Sequence, residues 1–149
     1  MAQNEQQLIK MPLLALRGLH VFPGMLLTFD VERPASIAAL NNAVRADQLI
    51  FLAAQKDLGA DLPKEEEIYA VGTVCRIRQQ LRQPRGNICR VMVEGLYRAR
   101  AESMNCDPKA YYAYIEPWED KAERVSPERT EALLRSCLSQ FDDYIHFNT

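Results

Sequence analysis

The stretch from about residue 68 to 97 constrains this chain most, because it reads as a β-hairpin in which turn chemistry and side-chain alternation point to the same pairing. At its tip Pro84, Arg85 and Gly86 suit a three-residue loop. Proline fixes φ at the first turn position, arginine tolerates the second, and glycine takes the left-handed bulge position. With Gln83 facing Asn87, Leu81 falls opposite Cys89, Gln79 opposite Val91, Ile77 opposite Val93 and Cys75 opposite Gly95, which makes one mostly apolar face. The other face then carries Arg76 opposite Glu94, Arg78 opposite Met92 and Gln80 opposite Arg90, with Arg82 beside Ile88.

Around this hairpin the pattern is that of a small β domain with one early helix. MPLLALR (11 to 17) is a short strand, closed by a loop of glycine and proline from 18 to 24. From 25 to 32 the alternation is clean, with Met25, Leu27, Phe29 and Val31 on one face. Pro34 suits the first turn of a helix, and Ile37, Leu40 and Val44 continue it as a narrow, alanine-rich stripe over 34 to 47. LIFLAA (49 to 54) is too short for a free helix and reads as a strand covered on both sides. The charged stretch 56 to 67 is a solvated loop with no framing for a cation site. LYRARAES (96 to 103), a turn around 105 to 108 and AYYAYIEPW (110 to 118) complete the strands. Ser126 and Pro127 then cap a new helix with Leu134, Cys137, Leu138, Phe141 and Ile145 on one stripe. The expected class is α+β but mostly β: a small antiparallel barrel-like domain with one early helix, followed by the start of a helical segment.

Of the 149 residues 48% are apolar and 26% charged, the balance of a soluble globular domain, and no apolar run approaches the ~20 residues that a membrane helix needs. The first ten residues do not look like a secretory signal, so a cytoplasmic protein with a flexible tail at 1 to 9 is expected. A net charge of −2 with scattered basic residues argues against a general grip on nucleic acid. Cys75, Cys89, Cys106 and Cys137 lack metal-ligand spacing, so no metal site is expected. No disulfide is expected between Cys75 and Cys89 either, since the hairpin register sets them roughly 20 Å apart at ~3.3 Å per residue, well beyond the ~7 Å reach of a bridge.

Five segments occur in the order found in one family: MPLLALRGLHVFPGM (11 to 25), RPASIAALNNAV (33 to 44), IFLAAQKD (50 to 57), YAVGTVCRIRQQLRQPRGN (69 to 87) and VMVEGLYRAR (91 to 100). The string Val93-Glu94-Gly95-Leu96 followed by Arg98-Ala99-Arg100 is the most specific part. From about residue 10 to the end the chain resembles the amino-terminal domain of bacterial Lon ATP-dependent proteases. That resemblance implies a six-stranded PUA-like β domain at 10 to 120, and at 121 to 149 a linker with the first helix of a helical bundle that continues beyond the chain. It implies a non-catalytic part that recognises unfolded or damaged polypeptides and aids assembly of a homohexamer. Cleavage by a Ser-Lys dyad and hydrolysis of ATP with magnesium would belong to other domains. The chain has no G-x-x-x-x-G-K-[ST] phosphate loop, and its five serines stand in no such catalytic context, so neither enzyme activity nor a cofactor is expected of this stretch. Gln80 and Gln83 depart from relatives, which often carry Met or Leu there, and make the exposed side of the hairpin more polar.

The substrate-contact residues expected are Val21 and Phe22 in the first loop, Leu26, Val74 and Met92 as apolar residues on otherwise polar faces, and Arg78 beside them. Two other readings compete with protein recognition. PUA-like folds host RNA binding, and Arg76, Arg78, Arg82 and Arg90 could line one face, but fold analogy is a weak warrant and no aromatic residues interleave with those arginines. A ligand cage would need several aromatic walls, and the chain has one tryptophan, Trp118.

Overall fold

The computed structural model describes residues 7–121 and 124–148. The elements are β1 (Ile9–Leu16), β2 (Leu26–Val31), α1 (Pro34–Arg45), β3 (Leu49–Ala54), a single 3-10 turn at Glu65–Glu67, β4 (Val71–Arg82), β5 (Cys89–Asp107), β6 (Ala110–Pro117) and α2 (Pro127–Phe147). The chain divides into two units, Met1–Glu119 and Asp120–Thr149. Most of the tail expected at 1 to 9 lies outside the described residues, and Ile9 already belongs to β1, opposite Ile115 of β6. Among the described residues no helix is long and apolar enough to cross a membrane.

In the first unit five strands close a ring in the order β5, β4, β3, β1, β6 and back to β5, and β2 lies along β5 as a sixth strand. All pairings are antiparallel except that of β1 with β3. Closure depends on β5, whose 19 residues pair with β2 near one end, with β4 along much of their length and with β6 near the other end. LYRARAES is thus the continuation of the hairpin strand, not a strand of its own. The bends that a closed sheet needs come from bulges, with Leu96 extra between Val74 and Cys75 and Glu102 extra between Ala101 and Ser103.

The expectation that β3 is covered on both sides holds, since Phe51 and Ala53 enter one core with Leu13, Val74 and Ile115, while Ile50 and Leu52 enter another with Leu14, Cys75 and Val93. α1 lends Ala39, Leu40 and Ala43 to the second of these cores, and all three are fully buried. Small side chains let the helix backbone come close to the sheet, so that a stripe with one leucine suffices to fill the space.

The hairpin register holds only in its lower half. Cys75 faces Gly95, Arg76 faces Glu94 and Ile77 faces Val93, but Gln79 then faces Met92, Gln80 faces Val91, Leu81 faces Arg90 and Arg82 faces Cys89. Arg78 is inserted as a bulge, and its guanidinium turns to the Glu94 carboxylate, with Nε 2.6 Å from Oε2. The tip changes with it: the Gln83 N–H donates to the Ile88 carbonyl at 3.0 Å, so residues 84 to 87 form a four-residue loop with Gly86 at φ +87°. Past the bulge the faces exchange. Leu81, expected inside, is 53% exposed, and Gln80 turns to Asn41 of α1 at 3.4 Å.

In the second unit, the Ser126 hydroxyl accepts the Arg129 N–H at 3.3 Å and Pro127 follows at the first position, the start expected from sequence. The helix buries none of its described residues.

Candidate functional site

The loop between β1 and β2 is clamped onto the barrel by its backbone. The Gly24 N–H donates to the Gly95 carbonyl and the Gly95 N–H to the Met25 carbonyl, each at 2.8 Å. A Cβ on Gly95 would lie 2.2 Å from the Phe22 carbonyl oxygen, so only glycine allows this approach. From the other side the buried Thr73 hydroxyl donates to the Val21 carbonyl at 2.6 Å. These contacts pull Val21 into the core, 8% exposed, and leave the next side chain, Phe22, 50% exposed.

Under this loop runs an open cleft of about 400 Å³. Leu16, Leu19, Phe22, Leu52, Tyr69 and Val71 are among the residues that line it. Tyr69 is 51% and Val71 37% exposed, so large apolar surface faces water here. Arg98, opposite Thr73 in the β4–β5 ladder, lays its guanidinium 5.5 Å from the centre of the Phe22 ring. The same arrangement recurs nearby, with Lys56 Nζ 5.6 Å from the Tyr69 ring and Arg100 5.6 Å from the Trp118 ring. Cation on aromatic face is favourable by about 0.5–1 kcal/mol at exposed sites, enough to bias these side chains toward their rings without locking them. No carboxylate lines the cleft, and Arg98 takes part in none of the ion pairs formed among the described residues.

The six residues expected to contact substrate do not gather. Phe22 and Val21 belong to the cleft. Leu26, 63% exposed, and half-buried Met92 share the outer face of β2, β5 and β4 with Arg78, at diagonal positions in the register. That face is broken up by charge. Arg78 binds Glu94, and Arg90 binds Asp30 with two contacts of 2.8 and 3.1 Å, a hydrogen-bonded pairing that holds the Asp30 carboxyl below its usual range. Val74 corrects the expectation most sharply. It is fully buried among Phe51, Leu13 and Ile115, because β4 is covered on both faces from Thr73 to Cys75 and no polar face exists there. The four hairpin arginines do not form one cationic face either, since Arg78 and Arg90 are paired to carboxylates and Arg82 reaches Asn41 on α1 at 3.5 Å.

Sequence reasoning missed Tyr69, Val71, Arg98 and Trp118. A signal existed for part of this group, since Arg98 and Arg100 alternate in LYRAR and so share a face. Which loop would cover that face, and which aromatic ring would meet each arginine, depends on tertiary contacts.

The family described as the ATP-dependent protease La (LON) substrate-binding domain matches residues 10–148. A Lon protease of Clostridioides difficile is 37% identical over 140 residues, which is 92% of this chain and 18% of that protein. One of Brevibacillus choshinensis is 43% identical over 136 residues, 91% of this chain and 17% of that protein. The chain therefore spans less than a fifth of the length of these relatives. Among solved structures, the N-terminal domain of a Mycobacterium avium complex Lon protease superposes with a TM-score of 0.62 at 18% identity, covering 91% of this chain and 71% of that one. A Lon N-terminal domain protein from Xanthomonas campestris gives 0.59 at 16% identity, covering 89% and 72%. At that identity the two structures speak for the fold alone. With nearly the whole length matched and relatives this similar, the chain belongs to the Lon substrate-binding domain family.

Proposed function

We propose that this domain is the receptor through which an ATP-dependent serine protease of the cytoplasm captures unfolded or damaged polypeptides, and that it also contributes to assembly of a homohexamer. Catalysis lies elsewhere in that reading: ATP with magnesium drives a separate motor and a Ser-Lys dyad cuts, while this stretch binds. The observation that carries it is the cleft beneath the β1–β2 loop, where Phe22, Tyr69 and Val71 expose apolar surface on a backbone held by Gly95 and Thr73. Exposed apolar side chains on a rigid frame can take up the apolar side chains that a folded protein hides, and they need no particular sequence to do so. Leu26, Met92 and Arg78 on the outer sheet face offer a second, more polar contact surface. A receptor that hands its cargo on must release it, so a dissociation constant of about micromolar to millimolar suits the role.

The test is an amide-shift titration of the labelled chain with a reduced and carbamidomethylated protein, and with the same protein folded. Shifts at Phe22, Tyr69, Val71 and Arg98 are expected with the unfolded form alone. Peaks that stay still at millimolar ligand would reject recognition by this domain.

A further inference from the structure

The cleft is apolar along its walls and carries one cation with no counter-charge. Arg98 is half-buried, holds its guanidinium carbon 5.5 Å from the centre of the Phe22 ring and forms no ion pair among the described residues, although the chain holds more acidic than basic residues. Two other arginines differ: Arg17 is taken by Asp61 at 3.3 Å, and Arg100, two positions along the same strand as Arg98, lies 3.7 Å from Glu102. A guanidinium presents five N–H donors in a fixed planar fork, the geometry that meets a carboxylate with two parallel hydrogen bonds. No acidic side chain lines the cleft to compete for it.

We infer that the cleft prefers, among unfolded segments, those in which a large apolar side chain stands next to an aspartate or glutamate, with the apolar group between Phe22 and Val71 and the carboxylate on Arg98. This rests on the receptor reading above and narrows it to a class of segment. The fit follows from charge complementarity together with reach. Phe22 and Arg98 are in contact, so the two groups they recognise must be neighbours on the bound chain, as successive residues of an extended segment are at ~3.3 Å rise. The aliphatic side chains of Leu16, Leu19, Leu52 and Val71 favour such a segment over a strand of nucleotides, whose successive bases stack on aromatic faces.

The experiment compares two short peptides, N-acetylated and C-amidated so that the side chain supplies the sole carboxylate, one with Phe-Glu and one with Phe-Gln at its centre. Titrated into this chain, the glutamate peptide is expected to bind roughly three- to fivefold tighter, as a half-exposed ion pair allows, and the advantage should shrink toward one at molar salt. Arg98→Gln should bring the two peptides to equal affinity, whereas Arg98→Lys should retain part of the preference. An unchanged amide spectrum for each variant establishes that it folds. If both peptides move the cleft resonances equally, this inference falls and the receptor reading stands. If neither moves them at millimolar concentration, both fall at this site. A single-stranded oligonucleotide that binds there more tightly than either peptide, and loses affinity on Arg98→Gln, would overturn the inference in favour of a nucleic acid.

Discussion

α1 and α2 both start with proline in the first turn and both carry one apolar stripe, yet α1 buries five residues and α2 none of those described. The stripe with the larger side chains is the exposed one. Leu134, Leu138 and Phe141 of α2 are 57–58% exposed, while α1 buries alanines and Leu40. Fit to a facing surface decides burial, and the bulk of the apolar side chains does not. The two helices also differ in what stabilises them locally. α1 has no side-chain cap, and Arg33 at its start is committed to the barrel, reaching Gln55 at 2.6 Å, the Asp61 carbonyl at 3.2 Å and the Ala15 carbonyl. α2 has the Ser126 cap and an Arg135–Glu131 pair at 2.6 Å one turn apart. Local devices are concentrated where tertiary packing does not do the work.

The widest gap between the two settings should show in thiol chemistry. Burial pushes the Cys75 thiol up to about 12, while Cys137 on α2 is exposed. At pH 8 a thiol of that kind is thiolate about one part in ten thousand, so alkylation of Cys75 in the native chain should run at least a thousandfold slower than that of Cys137. Peptide mapping after timed iodoacetamide treatment measures both. Equal rates would mean that the core of the first unit opens freely. The same group ties stability to pH. Between about 9 and about 12 the unfolded chain has lost this proton and the folded chain keeps it, so stability should fall as pH rises through that window.

Next in size is a pair of leucine truncations read by urea unfolding of the first unit. Leu40→Ala should cost about 2–5 kcal/mol, because it empties a fully buried site, whereas Leu138→Ala should stay within ~0.5 kcal/mol. A comparable loss at both sites would erase the contrast. Arg33→Met should then cost about 1–3 kcal/mol by leaving the Ala15 carbonyl and Gln55 without their charged partner. The smallest effect is local to α2. Ser126→Ala should lower amide protection in its first turn by about fivefold, the equivalent of ~1 kcal/mol for a lost cap, with the unfolding midpoint of the first unit unmoved.

Strand and helix positions were legible because their signals are local. The alternation from Met25 to Val31, the run LIFLAA and the Pro34 and Pro127 starts all report on one element at a time. The hairpin was legible as a hairpin, but its register beyond Ile77 was not. Bulge placement at Arg78 is settled by the Glu94 carboxylate and by α1 behind the sheet, and neither belongs to the two-strand problem. Val74 failed for a related reason, since alternation cannot reveal that three successive residues, 73 to 75, are buried on both faces of a strand whose two ends are exposed. The cleft was half legible. Phe22 stood out in its loop, while its partner Arg98 lies 76 positions away and meets it because Gly95 lets the two backbones touch.

The ring of strands is closed by a pairing between the two ends of the first unit, residues 9 to 12 with 112 to 115, through a strand, β5, that must satisfy three neighbours at once. During synthesis the barrel therefore stays open until almost its last strand has left the ribosome, and until then β1 and the far half of β5 are bare edges able to pair with another chain. Contacts this distant in sequence form slowly, on the order of milliseconds to seconds for topologies of this kind. For most of its own translation this chain is thus itself an incompletely folded polypeptide with open strand edges.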